Sequence, residues 1–95
     1  MEENKAMPLA SQILIHPNPA SDHLTLSFVP LQTGNSKLEI LSINGAKVFE
    51  IDYGVCEAGN RYIKNIDVSK FVSGIYMVRI WNAGNVANKK IVISR

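Results

Sequence analysis

Apolar and polar residues alternate along most of this chain in short runs separated by turn-forming residues. His23–Val29 is the cleanest run, with Leu24, Leu26 and Phe28 on one face and His23, Thr25 and Ser27 on the other. A period of two marks a strand with one buried and one wet face. The same reading predicts strands over Gln12–His16, Lys37–Ile43, Ala46–Asp52, Arg61–Val68, Ile75–Trp81 and Val86–Ile93. No stretch holds a 3.6-residue period long enough for a helix, and Ser69–Ser73 is expected to make one helical turn at most. Short strands at such regular spacing predict an all-β fold, a seven-stranded antiparallel immunoglobulin-like β-sandwich. The Cys…Trp…Cys spacing of antibody domains is missing.

Four punctuation points organise the strands. Pro17 and Pro19 each fix φ near −65° and lack a backbone donor, so no central strand passes through Ile15–Ala20. His16 and Asn18 precede them and are pushed toward extended backbone, which predicts a stiff corner. Asn44-Gly45, between two apolar runs, predicts a hairpin with a type I′ turn, where both central residues need positive φ. Asp67-Val68-Ser69 places a carboxylate and a hydroxyl where they can bond nearby backbone donors and turn the chain. Gly74 offers a backbone angle that other residues resist. The run Ile75–Trp81 is nearly continuous in apolar character, which predicts a central strand covered on both faces. Gly54–Gly59, including Cys56, and Asn82–Asn85 are expected to be loops.

The chain has 95 residues, 46% hydrophobic and 19% charged, which suits one packed domain and argues against disorder. A net charge of +2, with lysines scattered along the chain, gives no electrostatic footprint for nucleic acid. No apolar run approaches the roughly 20 residues a membrane-spanning helix needs. Residues 1–12 are expected to be a flexible lead-in and residues 13–95 the domain. The lead-in has no basic patch followed by an apolar core, so it is no secretory signal. If the domain is exported, the signal lies upstream and the chain is a fragment of a longer protein. The single cysteine, Cys56, cannot close an intrachain disulfide, and no histidine or helix start nearby would activate it.

Catalytic chemistry is not expected. Ser21-Asp22-His23 contains the residue types of a hydrolytic triad, but consecutive residues of an extended segment point to opposite faces and cannot converge. His16, His23 and Cys56 match no metal-ligand spacing, and the glycines are dispersed as turn residues, not gathered into a phosphate cradle. No cofactor is implied. Among the aromatics, Tyr76 reads as core, whereas Trp81 at a strand end is the better candidate for a contact surface.

Three blocks in order resemble a known family. They are Ile15–Leu26 with its Pro-Asn-Pro opening, the hairpin Leu38–Val48, and Ile66–Ile80 with an Asp-x-Ser turn and a Gly-x-Tyr strand. Lys89-Lys90-Ile91-Val92-Ile93 completes the set. Together they are similar to the type A C-terminal sorting domain of the Bacteroidetes type IX, or Por, secretion system. The resemblance spans Ile13–Ser94 and departs from the usual pattern at Ser42, Ala46 and Phe71.

The resemblance implies a non-catalytic domain at the end of a cargo protein. It implies export through the periplasm and across the outer membrane to the cell surface or the medium. The implied partners are the secretion translocon, a sortase-like peptidase that removes the domain by cutting within or before Met1–Ser11, and the fused upstream cargo. Neither nucleic acid nor membrane insertion is implied. Arg95 is then expected to be the natural last residue.

Residues expected to serve translocon recognition are Pro17, Asn18, Pro19, Gly74, Tyr76, Lys89 and Lys90, and those expected to shape turns are Asn44, Gly45, Asp67 and Ser69. An exposed edge at Val86–Ile93 would suit docking by strand addition, because unpaired backbone groups bind without demanding side-chain identity. The alternative is an adhesive immunoglobulin-like or carbohydrate-binding module of a surface protein, with Trp81 as its contact.

Overall fold

The computed structural model describes residues 12–95. The expectation of a flexible lead-in over residues 1–12 lies outside them except at Gln12, whose carbonyl accepts a hydrogen bond from the Val29 amide. Seven strands follow: β1 Ile13–His16, β2 His23–Phe28, β3 Gly34–Ser42, β4 Lys47–Cys56, β5 Tyr62–Asp67, β6 Gly74–Asn82 and β7 Asn85–Ile93. All pair antiparallel. They form a three-stranded sheet, β1-β2-β5, and a four-stranded sheet, β4-β3-β6-β7. The fold is the all-β sandwich that the strand pattern predicts.

The inward residues are those the alternation singles out. Leu24, Leu26 and Phe28 of β2, Leu38 and Ile40 of β3, and Val78 and Ile80 of β6 are fully buried. Ile66, Ile91 and Ile93 join them in one core cluster. Each such side chain contributes about 1.5–3 kcal/mol by leaving water.

The structure departs from the sequence expectations at several places. β3 begins at Gly34 and β4 continues to Cys56, so Tyr53–Cys56 is strand and not loop. A register shift between Ser36 and Lys37 lets the ladder pass Gly54 and resume as Ser36–Gly54, Asn35–Val55 and Gly34–Cys56. Gly54 takes a φ of 70° there, a value open to glycine. Cys56 is consequently a buried core residue.

The turn after β3 is longer than a two-residue type I′ turn. The Gly45 amide donates to the Ser42 carbonyl and the Ser42 amide to the Ala46 carbonyl. Gly45 alone in the turn has positive φ, 90°, so the turn runs over Ile43-Asn44 and glycine closes it. A two-residue hairpin does join β6 to β7, where Ala83 and Gly84 both have positive φ, 49° and 88°. Phe71 N–H donates to Val68 C=O, a single turn where one turn of helix was expected.

β6 is central in its sheet but covered on one face only. Tyr76, Val78, Ile80 and Asn82 are buried, while Ile75 and Trp81 are exposed. Asn82 has no exposed surface, yet every polar atom of its side chain is used. Its Oδ1 accepts from the amides of Leu31 and Gln32, and its Nδ2 donates to the Gln32 carbonyl and Ser36 Oγ. The asparagine thus ties the β2–β3 connection to the β6–β7 end. Close approach at that end excludes a side chain at residue 34: a Cβ on Gly34 would lie 2.8 Å from Ala83 Cβ.

Candidate recognition site

The residues expected to form a recognition surface gather at one end of the sandwich, around the proline corner. Both His16-Pro17 and Asn18-Pro19 peptide bonds are cis. The corner folds Asn18 and Ala20 against the outer side of β7. Asn18 Oδ1 accepts from the Val92 amide at 3.0 Å, and its Nδ2 donates to the Lys90 carbonyl at 3.4 Å. Ala20 N–H donates to Val92 C=O at 2.9 Å, and Ser94 N–H donates to Ala20 C=O at 2.8 Å. Ala20 and Ile93 form a parallel bridge. A strand edge is a row of unpaired donors and acceptors, and here the corner occupies that row from Lys90 to Ser94. The edge at Val86–Ile93 is therefore accessible only in its first half, a correction to the sequence expectation.

Arg95 fastens the same junction. Its Nε donates to the Ser21 carbonyl at 3.0 Å and its Nη2 to the Val68 carbonyl. Its amide donates to Ser73 Oγ. Val68 N–H in turn donates to Asp22 C=O. Ser21 and Asp22, the apparent triad members, act here through their backbone carbonyls.

Each expected residue has a definite place. Pro17, Asn18, Pro19, Gly74 and Lys90 are exposed. Gly74 opens β6 opposite Ile93. Lys89 and Lys90 point to opposite faces of β7: Lys90 is exposed, while Lys89 is half-buried at an inward position between Ala87 and Ile91. An inward lysine on an edge strand guards against further pairing.

Tyr76 is 4% exposed and offers no contact surface. Its hydroxyl donates to the Val72 carbonyl at 2.5 Å, and its ring packs on Phe71. A tyrosine near the start of the sixth strand bonding to backbone a few residues upstream is the tyrosine corner of immunoglobulin-like sandwiches. The Gly-x-Tyr block is thus a packing device.

Asp67 Oδ1 accepts from both the amide and the hydroxyl of Ser69, at 2.9 and 2.6 Å. The hydroxyl first and the amide second hold the Asp67 carboxyl below the usual carboxylate range. Asn44 and Gly45 lie at the same end of the four-stranded sheet but beyond β3, away from the proline corner. Asn44 Oδ1 accepts from the Ser42 hydroxyl.

The outer face of the larger sheet carries cross-strand rows that follow from its registers. One row is Asp52, Lys37, Trp81 and Val86; the next is Glu50, Glu39, Arg79 and Asn88. Glu39 and Glu50 face each other directly, a repulsive arrangement relieved by lysines. Lys47 Nζ lies 2.9 Å from Glu50 and 3.4 Å from Glu39, with Lys37 3.6–3.7 Å from both. The hydrogen bond to Glu50, then that to Glu39, holds the Lys47 ammonium above the usual lysine range. The same Lys47 bond holds the Glu50 carboxyl low.

Trp81 borders an open groove of about 490 Å³ with Asn35, Ser36, Lys37, Asp52 and Gly54. At this far end Phe28, Tyr53 and Tyr62 pack edge-on and stacked. Burial, helped by Cys56, pushes the Tyr53 hydroxyl up to about 12. Cys56 sits at this end, whereas His16 and His23 flank the proline corner. No group of three or more His, Cys, Asp or Glu able to hold a metal occurs among the described residues.

Sequence reasoning missed Asn82, the Arg95 clasp and the role of the Asn18 side chain. The Asn-Ala-Gly-Asn run carried a signal for the first, since its glycine marks a hairpin. The other two contacts join opposite ends of the chain and leave no local trace.

The fold and the corner together define a small sandwich domain whose first and last segments are bonded to each other. The model of the secretion system C-terminal sorting domain matches residues 14–94, and the chain belongs to that family. It is accordingly a sorting signal of the type IX secretion system, which takes its protein across the outer membrane to the surface or the medium. Members of the family are in general non-catalytic. No curated protein matches the sequence.

Proposed function

We propose that residues 13–95 act as a folded address on a cargo protein, read by the translocon and then cut away by a sortase-like peptidase within or before Met1–Ser11. The reading rests on the family match. The observation that carries its mechanism is the bonding of Asn18 and Ala20 to Lys90–Ser94. That junction presents exposed Pro17, Asn18, Pro19 and Lys90 as one surface only when the domain is folded and complete. A translocon serving unrelated cargoes needs such a surface, independent of what is attached upstream. The test is export of an inert periplasmic passenger fused ahead of residue 1. Wild-type tail should deliver it outside the cell, and the same tail lacking Asn88–Arg95 should leave it in the periplasm. Normal export of the truncation overturns the reading.

A second reading, a glycan-binding module, is favoured by the groove at Trp81. A half-exposed indole beside Asp52, Asn35 and Lys37 combines an apolar face with polar groups suited to hydroxyls. Glycan-array binding abolished by Trp81→Ala supports it, and an array without signal removes it.

A further inference from the structure

The sandwich has four strand edges, and they are not equally protected. β1 is only four residues long, and short edges are poor templates. β5 carries Lys64 at an inward position between Tyr62 and Ile66. β7 carries the inward Lys89 and is covered by the proline corner from Lys90 onward. β4, at ten residues the longest strand, has no strand paired to its outer side among the described residues, and its ladder runs unbroken over Phe49–Asp52, between two register shifts. It contains no proline, and its inward residues Phe49, Ile51 and Tyr53 are all apolar or aromatic.

Val92 turns its N–H and C=O outward to the corner. Hydrogen-bonded pairs alternate along an antiparallel ladder. Carried across the registers of β7, β6 and β3, that alternation makes Phe49 and Ile51 bond to β3. The backbone groups of Glu50 and Asp52 are left facing the open side.

We infer that the β4 edge, Val48–Asp52, accepts an extended peptide strand whose residues alternate between apolar and basic. The inner side of an added strand lies beside Phe49, Ile51 and Tyr53, which are only half-buried, and apolar residues there extend the core. The outer side lies beside Asp52 and beside Glu50, which Lys47 and Lys37 already pair, with Glu57 just beyond the strand end, so Asp52 is the main acidic contact. The Asp52 carboxylate accepts only the amide of Gly54 among the described residues, so a basic side chain opposite it gains a partner. A second copy of this chain is a poor occupant, because antiparallel β4–β4 pairing sets these carboxylates against their own copies. The inference rests on the sorting reading only in that a translocon component would supply the strand.

The test is titration of the 15N-labelled chain with synthetic peptides. A peptide alternating valine and lysine should shift the amides of Val48–Asp52. One alternating valine and glutamate should bind at least about tenfold more weakly, as expected for reversed charge complementarity. Glu50→Lys with Asp52→Lys should invert that preference. Methylating alternate backbone nitrogens of the valine–lysine peptide should abolish binding without altering the protein. Equal binding of both peptides, shifts confined to Val86–Lys90 or β5, or no shifts at all would overturn the inference. Passenger export separates the two claims. Loss of export in the double-lysine variant supports the β4 edge. Normal export in that variant sinks the edge alone, whereas failure with wild-type tail sinks the sorting reading whatever the peptides do.

Discussion

Tyr76 and Asn82 sit on the same face of β6, one at each end, and each ties the strand to a neighbouring loop. Tyr76→Phe keeps the ring and removes its bond to Val72, so it should cost about 1 kcal/mol in urea unfolding, the net worth of a typical hydrogen bond. Asn82→Ala leaves the Leu31 and Gln32 amides and the Gln32 carbonyl without their partner. It should cost about 2–4 kcal/mol, and a cost equal to that of Tyr76→Phe would contradict the buried tie. The carboxylates add a pH dependence. Asp67 and Glu50 have lowered folded-state values. The stability they contribute is fully present above the ordinary carboxylate pKa of about 4 and is lost as pH falls through the lowered values. Ser69→Ala should flatten that acid-side loss in urea midpoints measured down the pH scale, and an unchanged slope would remove Asp67 from the account.

At the scale of elements, the place of every strand was legible: β2 most cleanly from its period of two, because one face is buried and the other wet, and β6 from its apolar run. The extension of β4 was not. It depends on a bulge at Gly54 and on pairing with Gly34–Ser36, a tertiary event with no local pattern. Nor was the one-sided burial of β6, since Ile75 and Met77 continue its apolar run and read as covered until the open face beside them is known. The Asn44-Gly45 turn was legible in place but not in type, because an asparagine-glycine pair also serves a longer turn in which glycine alone has positive φ. Gly45→Val should still cost about 1–3 kcal/mol through strain at φ 90°. A neutral effect on the unfolding midpoint would show that the turn relaxes.

The described domain is organised by the contact between the proline corner and the end of β7. The proline corner was legible as a feature of the chain, and Lys89 and Lys90 as a pair. Their meeting was hidden, because Asn18 and Val92 are 74 residues apart. Asn18→Ala should therefore speed hydrogen exchange at the Val92 amide while leaving exchange at the core of β2 unchanged. Equal rates in variant and wild type would mean that Ala20 alone holds the edge. Pro17, Asn18, Pro19 and Lys90 are exposed at that contact, with Tyr76 of β6 buried, and this is the surface we propose the translocon reads. The claim that depends on all of this is that a folded tail directs export. It is tested most directly by fusing residues 13–95 behind a periplasm-directed inert passenger in a bacterium with a type IX system and assaying the medium and cell surface. The passenger should appear outside with wild-type tail and stay in the periplasm when Leu26→Asp unfolds the tail. Retention with the wild-type tail, or equal export with both, would contradict the account.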